Sequence, residues 1–358
     1  MQPRSQHEIR PVFCTIVPPH ILDKLSQSDD PALADPARRT LEADAARRTR
    51  RQVTTVVRST VAPEPEADRS GKPDRTIYDC RHRTHLPGTK VRAEGEGPTS
   101  DASVNRAYAG LGATFDLLLS AYGRRSIDGE GLPLIGSVHY DEKYNNAFFD
   151  GEQMVFGDGD GEIFLDFTVA IDVIAHELAH GLTQYTANLN YYGQSGALNE
   201  SVSDVFGSLV KQYSLAQTAE QADWLIGAGL LAPRVQGVAL RSMKAPGTAY
   251  DDDVLGKDPQ PASMDDYIHT ADDNGGVHLN SGIPNRAFYL LATALGGSSW
   301  ERAGQLWFDV LTGGELAVDA DFASFARLTV AAARSRFGEG DEVEAVLKAW
   351  SEVGVPTA

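Results

Sequence analysis

The chain has 358 residues, with 32 Lys+Arg against 50 Asp+Glu and a formal net charge of −18. Its 42% hydrophobic and 23% charged residues are an ordinary globular composition. That excludes a wholly disordered chain, and the length suits two or three units with a sizeable core. No run approaches the ~18 apolar residues of a membrane span. A pI near 4.9 argues against nucleic acid, whose phosphates require a basic face. Two cysteines, Cys14 and Cys80, cannot make a disulfide framework.

Residues 1–11 are polar and lack the apolar core of a secretory signal, so storage in the cytoplasm and secretion by an unrecognised route both stay open. Residues 1–90 carry a net charge of +4 and the rest −22. This is either a leader that attracts an acidic body or simply an arginine-rich leader on a soluble one. The stretch Val17-Pro18-Pro19-His20-Ile21-Leu22 is expected to be extended at its prolines. Residues 30–51 predict a helix. Residues 59–75 hold three prolines and many charges, and so predict an exposed linker open to proteases. Two sites of leader cleavage stay open: the basic stretch 47–51, and the apolar Val53, Val56 and Val57.

Further along, 137–140 and 153–156 predict short strands. Gly157-Asp158-Gly159-Asp160-Gly161 predicts a turn rather than a calcium loop, because the later ligands are missing. Apolar residues at i, i+3, i+4 then predict helices over 169–187, 199–216, 281–295, 299–311, 321–337 and 341–353. Gly123, Gly296, Gly313 and Gly338 stand where helices would stop.

The chemistry concentrates in His176-Glu177-Leu178-Ala179-His180. Histidines at i and i+4 share one helix face, so both can reach one zinc at about 2.0–2.1 Å, while Glu177 is set to take a proton from a zinc-bound water. Alone the pattern is weak. Twenty residues after His180, in Gly196-Ala197-Leu198-Asn199-Glu200-Ser201-Val202-Ser203-Asp204, a helix starting near Asn199 would swing Glu200 beside the histidines. Two His and one Glu leave a fourth position open for water, and Asp204, one turn on, can hold the other N–H of a ligating histidine.

These blocks, with Asp273-Asn274-Gly275-Gly276-Val277-His278, Tyr144-Asn145-Asn146-Ala147-Phe148 and Arg241-Ser242-Met243, resemble the thermolysin-like zinc metallopeptidases in family order. The short leader with Pro-Pro-x-x-Leu resembles the protealysin-type branch. The resemblance implies an α+β, two-lobed fold: a β-rich N-terminal lobe ending in the motif helix, a helical C-terminal lobe and a cleft between them. It divides the chain into a propeptide (1–58), a linker (59–75), an N-terminal lobe (76–190) and a C-terminal lobe (191–358). It implies a zymogen of a zinc endopeptidase that cuts before hydrophobic residues, acts on peptides and proteins, has its own propeptide as inhibitor, binds neither nucleic acid nor membrane, and is a monomer. The alternative is a catalytically inactive, toxin-like binding protein on the same scaffold.

Residue by residue, the resemblance implies one zinc on His176, His180 and Glu200, with Glu177 as proton shuttle and Asp204 behind the ligands. His278, oriented by Asp273, and Tyr191 rather than Tyr192 would stabilise the oxyanion. Asn146, Ala147 and Arg241 would hold the peptide backbone, and Phe164, Phe167, Val173 and Leu240 would line an apolar primed pocket. Pro18, Pro19 and Leu22 would fill the primed subsites. Lys211 stands where thermolysin has a calcium-binding carboxylate, so the main calcium site is expected to be missing and Lys211 to neutralise Asp172. Cys14 reads as a small buried leader residue, with capping of the zinc the weaker alternative. Cys80 reads as a free structural thiol.

Overall fold

A computed structural model describes residues 14–57 and 71–357, with the side chains of 48–57 left out. Residues 1–13 and most of the expected linker lie outside the described residues, as do the side chains of Val53, Val56 and Val57.

The leader contributes a two-residue strand, β1 (Cys14–Thr15), and two helices, α1 (Pro19–Ser26) and α2 (Pro31–Val57). The prolines are extended for one residue only. Pro18 has φ −60° and ψ 141°, and Pro19 then opens α1. The expectation of an extended Pro-Pro stretch is corrected for a simple reason: the first helical turn has no acceptor for an N–H, so a proline is tolerated there.

The N-terminal lobe follows as β2 (Arg75–Arg83), β3 (Thr89–Ala93), α3 (Ala102–Tyr122), β4 (Leu134–Tyr140), β5 (Ala147–Phe149), β6 (Met154–Phe156) and α4 (Ile171–Gln184). The strands form one mixed sheet in the order β1-β5-β6-β4-β2-β3, so the leader's strand extends the sheet beyond β5. It pairs antiparallel, Cys14 opposite Phe149 and Thr15 opposite Phe148. Helix α3 starts at Asp101, whose Oδ1 accepts from the N–H groups of Ser103 and Val104, and stops at Gly123 in the left-handed region. The Gly-Asp-Gly-Asp-Gly segment is a turn: Asp160 Oδ1 accepts from the backbone N–H of Glu162, Ile163 and Phe164.

The C-terminal lobe is helical: α5 (Gly193–Ser214), α6 (Asp273–Asn280), α7 (Gly282–Leu295), α8 (Ala303–Thr312), α9 (Phe322–Phe337) and α10 (Asp341–Glu352). Two short strands, β7 (Leu225–Ile226) and β8 (Arg241–Ser242), pair between α5 and α6. Trp307 of α8 and Trp350 of α10 stack at 5.8 Å in the core. Among the described residues no helix is long and apolar enough to cross a membrane. The α+β, two-lobed expectation holds.

Helices α4 and α5 pack against each other, and both are buried along most of their length. Their approach depends on Gly207, where a Cβ would lie 2.6 Å from the Asp172 carbonyl oxygen. Gly207→Ala therefore forces the helices apart. A loss of about 1–3 kcal/mol, the usual cost of overpacking, is expected in urea unfolding.

Near the sheet, His139 lies between two carboxylates, with Nδ1 2.8 Å from Asp158 and Nε2 2.8 Å from Asp101. The hydrogen bond to Asp158, joined by Asp101 against the effect of burial, raises its pKa from 6.5 to about 9. A raised histidine pKa stabilises the fold fully below pH 6.5 and loses that contribution as pH rises through about 9. The thermal midpoint of the wild type should thus fall across that window more than the midpoint of His139→Gln does.

Candidate metal centre and cleft

The motif helix presents His176 and His180 one turn apart, with both rings buried. Their outer nitrogens are occupied. His176 Nδ1 is 2.8 Å from Asp204 Oδ1, and His180 Nδ1 is 2.8 Å from Asn199 Oδ1 and 3.1 Å from Ser203 Oγ. Facing oxygen acceptors, the Nδ1 atoms carry the protons and the Nε2 lone pairs point inward. Those two Nε2 atoms lie 3.1 Å apart, and Glu200 carboxylate oxygens approach them at 3.5 and 3.6 Å. Glu200 Oε2 is buried with no hydrogen-bond partner among the described residues. Two lone pairs and a carboxylate converging in a dry interior repel one another unless a cation sits between them, so this donor set fits zinc.

Burial alone would raise the Glu200 carboxyl, but His278, His180 and His176 outweigh it and hold its pKa at about 2. Burial lowers His180 to about 4. Glu177 moves the other way, pushed well up by burial and by the Glu200 charge. Its Oε2 accepts from the Phe149 N–H at 3.0 Å, while its Oε1 is buried without a partner among the described residues. Two neighbouring carboxyls thus have opposite affinities for a proton, as separate ligand and shuttle tasks require.

Asp204 holds this arrangement together. Besides His176, it accepts both arms of Arg241 at 2.8 Å and the Asn285 side-chain amide at 2.8 Å. Arg241, on β8, is fixed and aims its remaining arm at the Ile16 carbonyl, 3.0 Å away.

The third wall is the turn that opens α6. Asn274, Gly275 and Gly276 all take positive φ, and a Cβ at Gly276 would meet the Asn280 side chain at 3.0 Å. The turn returns Asp273 to His278: Oδ1 is 2.7 Å from Nδ1, and Oδ2 accepts the backbone N–H at 2.8 Å. Burial opposes the imidazolium, but Asp273 and then Glu200 raise its pKa to about 9. Tyr191 donates its hydroxyl to Glu200 and lies 3.3 Å from His278 Nε2, whereas the Tyr192 side of the pair is 63% exposed.

The leader lies in the cleft as an added strand. Ile16 N donates to the Ala147 carbonyl at 3.2 Å and Val17 N to Asn146 Oδ1 at 2.9 Å. The Thr15 carbonyl accepts from His278 Nε2 at 3.1 Å. The Asn146 amide is also engaged, donating to Asp44 of α2 at 3.2 Å. The backbone groups of this stretch that meet the cleft belong to Thr15, Ile16 and Val17, just ahead of Pro18, Pro19 and Leu22. Pro18 is buried but turns the chain, and Leu22 is buried on α1. Phe164, Phe167, Val173 and Leu240 are buried in the same apolar cluster as Ile16, Val17 and Leu22. Cys14 is no ordinary buried residue: its Sγ lies 2.7 Å from Glu200 Oε1 and 2.9 Å from the Tyr191 hydroxyl. Cys80 is buried in a separate aromatic cluster.

Sequence reasoning missed Asn199, Asn285, Asp44 and the Thr15–Val17 backbone. Asn199 carried a signal, since it stands beside Glu200 in the second block; Asn285 lies in a plain amphipathic helix and carried none. Helix α5 also starts at Gly193, not near Asn199, which puts Glu200 two turns in.

Lys211 on α5 bridges Asp172 at 3.0 Å and Asp223 at 2.7 Å.

Two family descriptions match the chain: the thermolysin metallopeptidase catalytic domain over residues 65–184 and the thermolysin metallopeptidase alpha-helical domain over 187–355. An extracellular metalloprotease of Pectobacterium carotovorum subsp. carotovorum is 52% identical over 347 residues, covering 97% of each chain. Protease PrtS of a Photorhabdus strain is 53% identical over 283 residues, 78% of this chain and 76% of the relative. Among solved structures, the precursor of protealysin, a metalloproteinase from Serratia proteamaculans, superposes with a TM-score of 0.88 at 53% identity, covering 96% of this chain and all of that one.

Replacing Asp204 by Asn weakens the hold on His176 and leaves Arg241 without its counter-charge. Zinc affinity, measured by competition with a chelator, should fall about 10–100-fold.

Proposed function

This chain belongs to the thermolysin metallopeptidase family as a zinc endopeptidase in precursor form, and we propose that His176, His180 and Glu200 hold its single zinc and Glu177 moves its protons. The observation that carries the assignment is the convergence of two imidazole lone pairs and a buried carboxylate with an unpartnered oxygen. When bound, zinc supplies Lewis acidity to a water and to the scissile carbonyl.

The protein's own groups do the rest. Glu177 takes a proton from the attacking water and delivers it to the leaving nitrogen; its raised affinity for a proton suits both halves of the task. His278, held protonated by Asp273, donates from Nε2 to the developing oxyanion, and the Tyr191 hydroxyl assists it. The leader itself supports this geometry, because its Thr15 carbonyl takes the His278 hydrogen bond that a substrate carbonyl would take. Asn146 and Ala147 bind the substrate as an added strand and Arg241 fixes the carbonyl of the residue after the cut. Phe164, Phe167, Val173 and Leu240 form the pocket for that residue, so cleavage falls before hydrophobic side chains.

We divide the chain into a propeptide (1–58), a linker (59–75) and two lobes (76–190 and 191–358); the end of α2 at Val57 and the start of β2 at Arg75 support this reading. The leader blocks the cleft until it is cut away, and the matured enzyme works as a monomer on peptides and proteins outside the cell; a relative named an extracellular metalloprotease supports the location. A catalytically inactive binding protein is disfavoured because every group the reaction needs is in place.

Glu177→Gln should keep one equivalent of zinc while casein hydrolysis drops by about 100- to 10,000-fold and self-processing stops. Retained hydrolysis would refute the shuttle role. Lys211 supplies the cation at the family's main calcium position, so thermal inactivation of the zinc-loaded enzyme should be unchanged by millimolar calcium or by a calcium-selective chelator. A large calcium dependence would show that the lysine does not replace the ion.

A further inference from the structure

The proposed reaction does not use Cys14. This residue belongs to the leader, yet its sulfur completes a buried group with His176, His180 and Glu200 in which all the ligand atoms lie within 4.8 Å of one another. Three observations point to a ligand there rather than to packing. The sulfur sits 2.7 Å from Glu200 Oε1 and 4.0 Å from His278 Nε2. Glu200 Oε2 and Glu177 Oε1 are both buried and unpartnered among the described residues. The strand pairing of Cys14 with Phe149, and the Thr15 and Ile16 contacts on either side of the reaction position, fix the backbone that carries the thiol.

The register poses a question that the sulfur answers. Thr15 offers its carbonyl to His278, and Ile16 gives its N–H to Ala147 and its carbonyl to Arg241. The Thr15–Ile16 peptide thus lies as a substrate's would, along an apolar pocket, with Glu177 nearby. Hydrolysis still needs a water beside Glu177 and the zinc ligands, and Cys14 Sγ lies among those ligands.

We propose that in the precursor the Cys14 thiolate is the fourth ligand of the zinc held by His176, His180 and Glu200, so that the leader inhibits by taking the water's coordination position as well as the peptide groove. This rests on the zinc reading above and adds a regulation of the same site. The exchange is balanced without a redox partner. The S–H bond breaks and its proton passes to solvent. A sulfur–zinc bond forms while the bond from water to zinc is lost. Removal of the leader reverses the exchange: a thiol leaves and a water enters. Without zinc the thiol donates its hydrogen to Glu200 instead, so the sulfur is held in place before the ion arrives.

The test uses the full-length precursor carrying Glu177→Gln, which keeps it in one piece. Zinc is removed and cobalt(II) is added. One equivalent of cobalt should bind, with visible ligand-field bands of a four-coordinate site and a near-ultraviolet sulfur-to-cobalt charge-transfer band. The added substitution Cys14→Ser should abolish the charge-transfer band and keep the cobalt. A bound cobalt with no such band, or a band that survives Cys14→Ser, overturns the proposal and leaves the zinc site standing. If neither chain binds cobalt, the zinc reading fails with it. X-ray absorption at the zinc edge of the zinc-loaded Glu177→Gln chain decides independently of how Cys14→Ser folds. One sulfur at about 2.3 Å should appear beside the nitrogen and oxygen neighbours; a zinc shell without sulfur overturns the proposal.

Discussion

Asp204 is the residue on which the cleft depends. One buried carboxylate accepts from His176, from two nitrogens of Arg241 and from Asn285, and so ties the motif helix, the second helix, β8 and α7 to a single point. Arg241, with burial opposing it, drives the Asp204 carboxyl well below the ordinary carboxylate range, so it stays ionised throughout. A fully ionised carboxylate with every lone pair used is rigid. It fixes the tautomer of His176 and the direction of Arg241, the residues proposed above to bind zinc and a peptide carbonyl. The metal chemistry and the substrate register therefore share one anchor.

The leader exploits that rigidity. Each polar group the cleft offers to a peptide is already engaged: Asn146 by Val17 and Asp44, Ala147 by Ile16, Arg241 by Ile16, and His278 by Thr15. Behind the strand, α2 secures the segment that leads into β5. Thr40 accepts the Asn145 N–H at 3.0 Å, and Arg47 lies over the Tyr140 and Phe148 rings at 4.7 Å. Because leader and cleft share one chain, their encounter carries little translational cost, and modest contacts suffice for occupancy.

The clustering of His176, His180 and Glu200 was legible because its geometry is largely local. Histidines four apart in a helix must share a face, and Glu200 and Asp204 repeat that logic one helix later. The α+β, two-lobed layout came from the family resemblance of the motif blocks, and the apolar period placed individual strands and helices within it. Asn285 was not, because its role is created by α7 crossing α5, and an asparagine in an amphipathic helix looks the same whichever way it points. The start of α5 was hidden by Gly193, which opens the helix with positive φ, and by Gly196, whose low helix propensity is overridden by burial. In the leader, the two prolines drew attention to themselves, while the groups that bind were backbone N–H and C=O atoms of Thr15, Ile16 and Val17, which any sequence would supply. For Cys14 the polar surroundings stood only as the weaker alternative, since they come from residues more than a hundred positions away.

The sheet order has a consequence beyond the cleft. Once β1 departs, β5 becomes an outer strand with unmet amide and carbonyl groups, the kind of border along which proteins stick to one another. Here that border spans only three residues, Ala147–Phe149, and the Phe149 amide is already turned inward to Glu177. The molecule can thus present an adhesive margin long enough to grip one extended peptide and too short to seed self-association with its own copies.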